Sequence, residues 1–234
     1  MPHHHLPIQN AILKRLPADD LDRLGSLERV TLELRESLEL ANTPNEFVYF
    51  FEDGVASVVW ENSTAGATEI GLIGVEGMTG LGILYGDAQG PFETFMQVEG
   101  AAMRCERRKL EELWSTSATL RTAVARYARA FSIQVAATAV INGRYKLEER
   151  LARWLLMVGD RAGAKFSITH EFIAVMLAVR RPGVTLALQS LEGLHLIRAS
   201  RGIVEIIDRA GLLAFADGAY GLPEREYARL WSMP

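Results

Sequence analysis

Between Leu110 and Ile141 the chain has neither glycine nor proline, and Leu120, Val124, Tyr127, Phe131, Gln134, Thr138 and Ile141 recur along it at alternating intervals of four and three. That spacing keeps one stripe of side chains on one side of a long α-helix. An apolar stripe of this length needs cover. Either a neighbouring β domain or the same helix of a second copy could supply it; the helix is long and the β domain small, which favours a dimer. Gln134 and Thr138 are polar within the seam, as expected for residues that touch a ligand or fix register. Asn142-Gly143 then reads as a hinge.

The helix divides two segments of different character. From Glu28 to about Arg107, short apolar or alternating runs are separated by turn residues, as in Phe47–Phe51, Asp53-Gly54 and Val55–Trp60, which reads as a hairpin. Repeated short strands point to an all-β roll or sandwich. Beyond the helix, Glu149–Val158 places Leu151, Trp154, Leu155 and Val158 on one face. At 234 residues the chain suits two domains better than one. The expected fold class is α+β: a jelly-roll-like β-roll over residues 1–109, a long dimerisation helix and hinge over 110–143, and a helix-rich C-terminal module over 144–234.

Charge follows the same division. Residues 1–143 carry 12 Lys and Arg against 19 Asp and Glu, whereas residues 144–234 carry 13 against 10. A locally basic module can meet phosphates while an acidic partner domain sets the total of −4. No apolar run reaches membrane-spanning length, and MPHHHLPIQN lacks the pattern of a signal peptide, so the expected location is cytoplasmic. The lone Cys105 cannot make an internal disulfide or hold an iron–sulfur cluster. His3–His5 are adjacent and therefore poor partners for one ion, so neither metal nor cofactor is expected.

Residues 169–208 carry the functional signal. Thr169 suits a helix N-cap and Glu171 the first turn; Ile173, Met176 and Leu177 form an apolar face. After a tight turn at Ala178-Val179, Pro182 opens a second helix whose inward face is Val184, Leu188 and Leu191. Arg180, Arg181, Gly183, Thr185, Leu186 and Gln189 are left on the other side. Arginine can pair with guanine, glutamine with adenine, and Thr or Leu methyls can pack on thymine, which is major-groove chemistry. Two β-prone runs follow, joined by Ser200-Arg201-Gly202, a wing whose tip, Ser200 and Arg201, suits phosphates. Thr169 and His170 complete the candidate contacts. The residues show no nucleophile elbow, HExxH or P-loop, so no enzyme is expected.

These segments resemble the Crp/Fnr family of bacterial regulators, through ERLARWLLM at Glu149–Met157, THEFIAVMLAVRRPGVT at Thr169–Thr185 and LHLIRASRGIVEIIDR at Leu194–Arg209; FVYFFEDGVASVV and EIGLIGVEGMTG match more loosely. The resemblance implies a cyclic-nucleotide-binding-type roll, a dimerisation helix and a winged helix-turn-helix, acting as a homodimer on a two-fold-related operator, with RNA polymerase as a candidate partner. Two departures bear on control. Family members that bind cyclic AMP carry a Gly-Glu pair and a later Arg-Ser pair; here Gly80 precedes Leu81, and Pro91–Gly100 has no arginine, so cyclic AMP is not expected to bind in the usual way. Glycine is usual in the family where Ala178 sits, which implies a mildly strained backbone there. The effector is left unnamed, and Gly71, Gly74, Gly77, Gly80 and Gly82 read as turns and tight corners. The competing reading is a ligand-binding signalling module whose helix-turn-helix is a protein contact.

Overall fold

The computed structural model describes residues 7–25, 27–62 and 66–233; His3–His5 lie outside them. The chain forms two compact units, one combining the segment up to Ala56 with Ile73–Arg129, the other Ser57–Leu72 with everything from Ala130.

After a 3-10 turn at Leu13–Arg15 and helix α1 (Ala18–Arg23), the strands are β1 (Glu28–Leu32), β2 (Ser37–Glu39), β3 (Phe47–Phe51), β4 (Val55–Asn62), β5 (Gly66–Ile73), β6 (Glu93–Val98) and β7 (Gly100–Glu106). They make a three-stranded sheet, β1-β7-β3, and a four-stranded sheet, β2-β6-β4-β5. The expected Asp53-Gly54 hairpin is therefore corrected: β3 pairs with β7, and β4 belongs to the other sheet. Asp53 explains the detour. Its carboxylate accepts from Ala101 N–H, and the Glu52 N–H donates to the Ala101 carbonyl at 2.8 Å, so the corner is tied to the start of β7 rather than closed on β4.

Helix α2 (Arg107–Thr116) and helix α3 (Ala118–Arg144) are separate. The sequence reads as one helix here, but Ser117 has extended backbone; its hydroxyl donates to the Asp20 carboxylate and accepts from Leu120 N–H at 3.0 Å, capping α3. At the other end α3 continues through Asn142-Gly143 to Arg144, so the expected hinge residues are helical and the break falls at Tyr145-Lys146.

The α3 stripe is buried, but within the chain itself. Leu120, Val124, Tyr127, Gln134 and Ile141 are buried and Phe131 and Thr138 half-buried without any partner present. In the first unit Tyr127 lies against Gly77. In the second, a methyl at Gly71 would stand 2.8 Å from the Phe131 ring, so this helix reaches β5 only because that residue is glycine. Gln134 is bonded in both directions to β5, accepting from Leu72 N–H at 2.6 Å and donating to the Leu72 carbonyl at 3.2 Å. Ile141 packs with Ala137 and Ala219. Of the seven residues expected to face a second copy, Leu120, Val124, Tyr127, Gln134 and Ile141 are thus covered within the chain, while Phe131 and Thr138 keep part of their surface open. The opposite side of α3, with Ala118, Thr122, Ala125, Ser132, Ala136 and Val140, is exposed.

The second unit continues with α4 (Leu147–Ala162), β8 (Lys165–Ser167), α5 (His170–Met176), α6 (Arg181–Gly193), β9 (Ile197–Ser200), β10 (Ile203–Ile206), α7 (Arg209–Phe215) and α8 (Leu222–Trp231). Its sheet, β8-β10-β9, has one strand more than the two-stranded wing expected; the alternating burial of Lys165, Phe166 and Ser167 was too short a signal to read.

Candidate nucleic-acid interface

Helix α5 starts where Thr169 accepts from Phe172 N–H at 3.2 Å, and it buries Ile173, Ala174 and Met176. It ends in a double backbone closure: Val179 N–H reaches the Ala174 carbonyl at 2.9 Å and Ala178 N–H the Val175 carbonyl at 3.1 Å. This is a Schellman motif, and it requires a left-handed residue at Ala178, whose φ is +51°. The strain that the family resemblance implied is present. Helix α6 ends in the same way, with Leu196 N–H on Leu191 at 3.1 Å, His195 N–H on Glu192 at 2.9 Å, and His195 at φ +58°. His195 is thus a helix terminator, exposed to solvent.

The turn sets α6 with Val184, Ala187, Leu188 and Leu191 fully buried. Arg180, Arg181, Pro182, Leu186 and Gln189 are exposed on the other side, and Thr185 is half-buried. Arg181 Nε lies 3.6 Å from Glu171 Oε2, an ion pair with both side chains largely in water and hence weak. His170 Nδ1 is 3.1 Å from Thr185 Oγ1, which in turn donates to the Arg181 carbonyl at 3.2 Å. Gly183 sits differently from its expected place on the outward face: it is half-buried, and a methyl on it would stand 3.2 Å from Leu147 Cδ2 of α4.

The wing turns at Arg201-Gly202. Ser200 pairs with Ile203, and both central residues have positive φ, +51° and +76°. This is the tight two-residue turn whose twist matches a hairpin, with glycine in the second position. Ser200 and Arg201 are exposed at its tip. Glu192 anchors the wing to α6 by accepting from Ala199 N–H at 2.7 Å.

Several supporting residues had no signal in the sequence. The Arg150 guanidinium donates to the Leu177 carbonyl at the end of α5 and, through Nε, to Asn142 Oδ1 at 3.0 Å at the end of α3. Trp154 Nε1 donates to Glu69 Oε1 at 2.9 Å, and Ser57 Oγ donates to Glu69 Oε2 at 2.8 Å. Glu69 is 6% exposed, and burial pushes its carboxyl up to about 7 against the opposing effect of these donors and of the Arg153 charge. Arg153, 5% exposed, donates to Thr138 Oγ1 at 3.1 Å. In the first unit, Gly80 N–H donates to Glu39 Oε1 at 2.9 Å, and the same carboxylate accepts from Asn45 and Thr94, so this amide of the glycine-rich segment is already engaged.

A capped helix, a left-handed turn, a second helix with its basic side in water, and a hairpin closed on itself follow in order, and the family comparison agrees over residues 149–215. Residues 149–215 match the Crp-like helix-turn-helix domain. No curated protein matches the sequence. Among solved structures, a crp/fnr-family regulator from Eubacterium rectale superposes with a TM-score of 0.70 at 16% identity, over 90% of this chain and 99% of that one. A CRP-family transcriptional regulator from Thermus thermophilus gives 0.68 at 22%, over 83% and 98%. FixK2 from Bradyrhizobium japonicum gives 0.68 at 14%, over 80% and 96%. The chain therefore has the fold of Crp/Fnr regulators, an α+β architecture with a β-sheet domain, a long helix and a Crp-like helix-turn-helix. Among the described residues, no group of three or more His, Cys, Asp or Glu could hold a metal ion, and no helix is long and apolar enough to cross a membrane.

Proposed function

We propose that the chain is a sequence-specific DNA-binding transcription regulator that acts in the cytoplasm as a homodimer on a two-fold-related operator. One observation carries this reading: α6 buries one side completely while Arg180, Arg181, Leu186 and Gln189 stand in water on the other, Arg181 in a weak ion pair with Glu171. Such a helix enters the major groove with its N-terminal residues toward base edges. Arg181 and Gln189 read bases; Thr169, Ser200 and Arg201 hold phosphates. Residues 1–109 act as the sensor, 110–143 as the dimerisation segment and 144–234 as the DNA-binding module. The two copies meet through the exposed side of α3, around Ala125, Ala136 and Val140, since the stripe on its other side is occupied.

The roll does not take cyclic AMP in the family's usual mode. It lacks the expected arginine, and Glu39 places a carboxylate on Gly80 N–H. The reading is tested by footprinting on genomic promoters at physiological salt. Protection of particular promoters over random DNA supports it; equal affinity for all DNA defeats it.

A further inference from the structure

Beyond Arg181, the first turns of α6 offer apolar groups to solvent. The Thr185 hydroxyl donates to the Arg181 carbonyl at 3.2 Å and lies 3.1 Å from His170 Nδ1, so it is bonded within the module on two sides. Its Cγ2 methyl is the part of the side chain without a polar partner. One residue on, Leu186 is 65% exposed, and Pro182, also exposed, lies one turn before it. Residues at i, i+3 and i+4 are neighbours on a helix surface, so Pro182, Thr185 and Leu186 form one continuous apolar patch. The interior of the module is complete without it: Val184, Ala187, Leu188 and Leu191 fill the inward side.

We infer that this patch reads thymine 5-methyl groups, with Leu186 packed on one methyl in each half-site and the Thr185 methyl on its neighbour. The inference rests on the DNA-binding reading above and adds the base feature recognised. In the major groove the 5-methyl is the one apolar mark that distinguishes thymine. The Thr185 hydroxyl is bonded within the module, which leaves its methyl as the group offered to a base. Leu186 has no polar atom at all.

The experiment selects sites for the full-length protein from random duplexes, then replaces each thymine of the selected site with deoxyuridine, which removes only the methyl group. Wild type should lose affinity about fourfold for each methyl read, the effect of exposing one carbon's worth of apolar contact. At the thymine under Leu186 this loss should disappear in L186A. At the neighbouring thymine it should persist in T185V, which keeps the methyl, and disappear in T185S, which keeps the hydroxyl and its bonds. L186A should melt like wild type, because the side chain is exposed. A selected site in which no thymine responds to deoxyuridine, or in which L186A and T185S respond as wild type does, overturns the inference while leaving DNA binding intact. Failure to select any site overturns both.

Discussion

The indole N–H of Trp154, in α4, donates at 2.9 Å to the buried carboxylate of Glu69 on β5. Burial raises that carboxyl from the ordinary 4.5 to about 7, so the folded chain holds a proton there that the unfolded chain releases. The contribution to stability is full below about pH 4.5 and declines until about pH 7, above which it levels off. Denaturant unfolding at a series of pH values should show this fall, amounting to a few kcal/mol. Glu69→Gln, which keeps an acceptor for Trp154 and removes the ionisation, should flatten it. A wild-type slope that survives in the variant would assign the titration to another group.

Ala178 and His195 both occupy left-handed backbone at the ends of the two helices of the motif. Replacing either by glycine removes the Cβ clash, worth about 1 kcal/mol before the extra freedom of the unfolded glycine is counted. Ala178→Gly and His195→Gly should each raise the denaturation midpoint or leave it unchanged, and a clear decrease would show that the side chain has a task the structure does not reveal.

The two sides of α3 should respond differently to substitution. Val140→Glu or Ala136→Glu, on the exposed side, should yield a folded monomer in sedimentation with its melting little changed. Leu120→Ala, on the buried side, should cost about 2–5 kcal/mol of fold stability whatever the oligomeric state. Dimers that withstand the exposed-side changes would place the interface elsewhere.

Arg181 and Arg201 should separate reading from holding. Arg181→Ala should relax preference at one base position by about 1–3 kcal/mol, whereas Arg201→Ala should weaken all sites alike and reduce the salt dependence by about one counterion. Competition binding on single-base variants at several salt concentrations distinguishes the two.

The helix-turn-helix was legible because its determinants are local. Thr169 as cap, Pro182 in the first turn and the Val184, Leu188, Leu191 spacing lie within a few residues of what they control. The roll was legible as strands but not as sheets. Asp53-Gly54 looks like a hairpin whether or not its flanking strands pair, and the Ala101 N–H that decides the matter is almost fifty positions away. The α3 stripe announced burial correctly, yet periodicity carries no information about what does the covering. Gln134 seemed a ligand contact or a register residue, and its partner proved to be a strand backbone. Glu69 gave no signal, since alternation along β5 does not reveal which side lies in the interior.

The pairing of Gln134 with Leu72 also limits how α3 can move. A side-chain amide that both gives and takes a hydrogen bond behaves as one more peptide unit docked on β5. Sliding by an ångström would leave a buried N–H and C=O without partners, so gradual creep is penalised at every point along the way. Any signal that moves α3 along β5 must therefore keep that register or give up both bonds at once, so this contact acts as a latch.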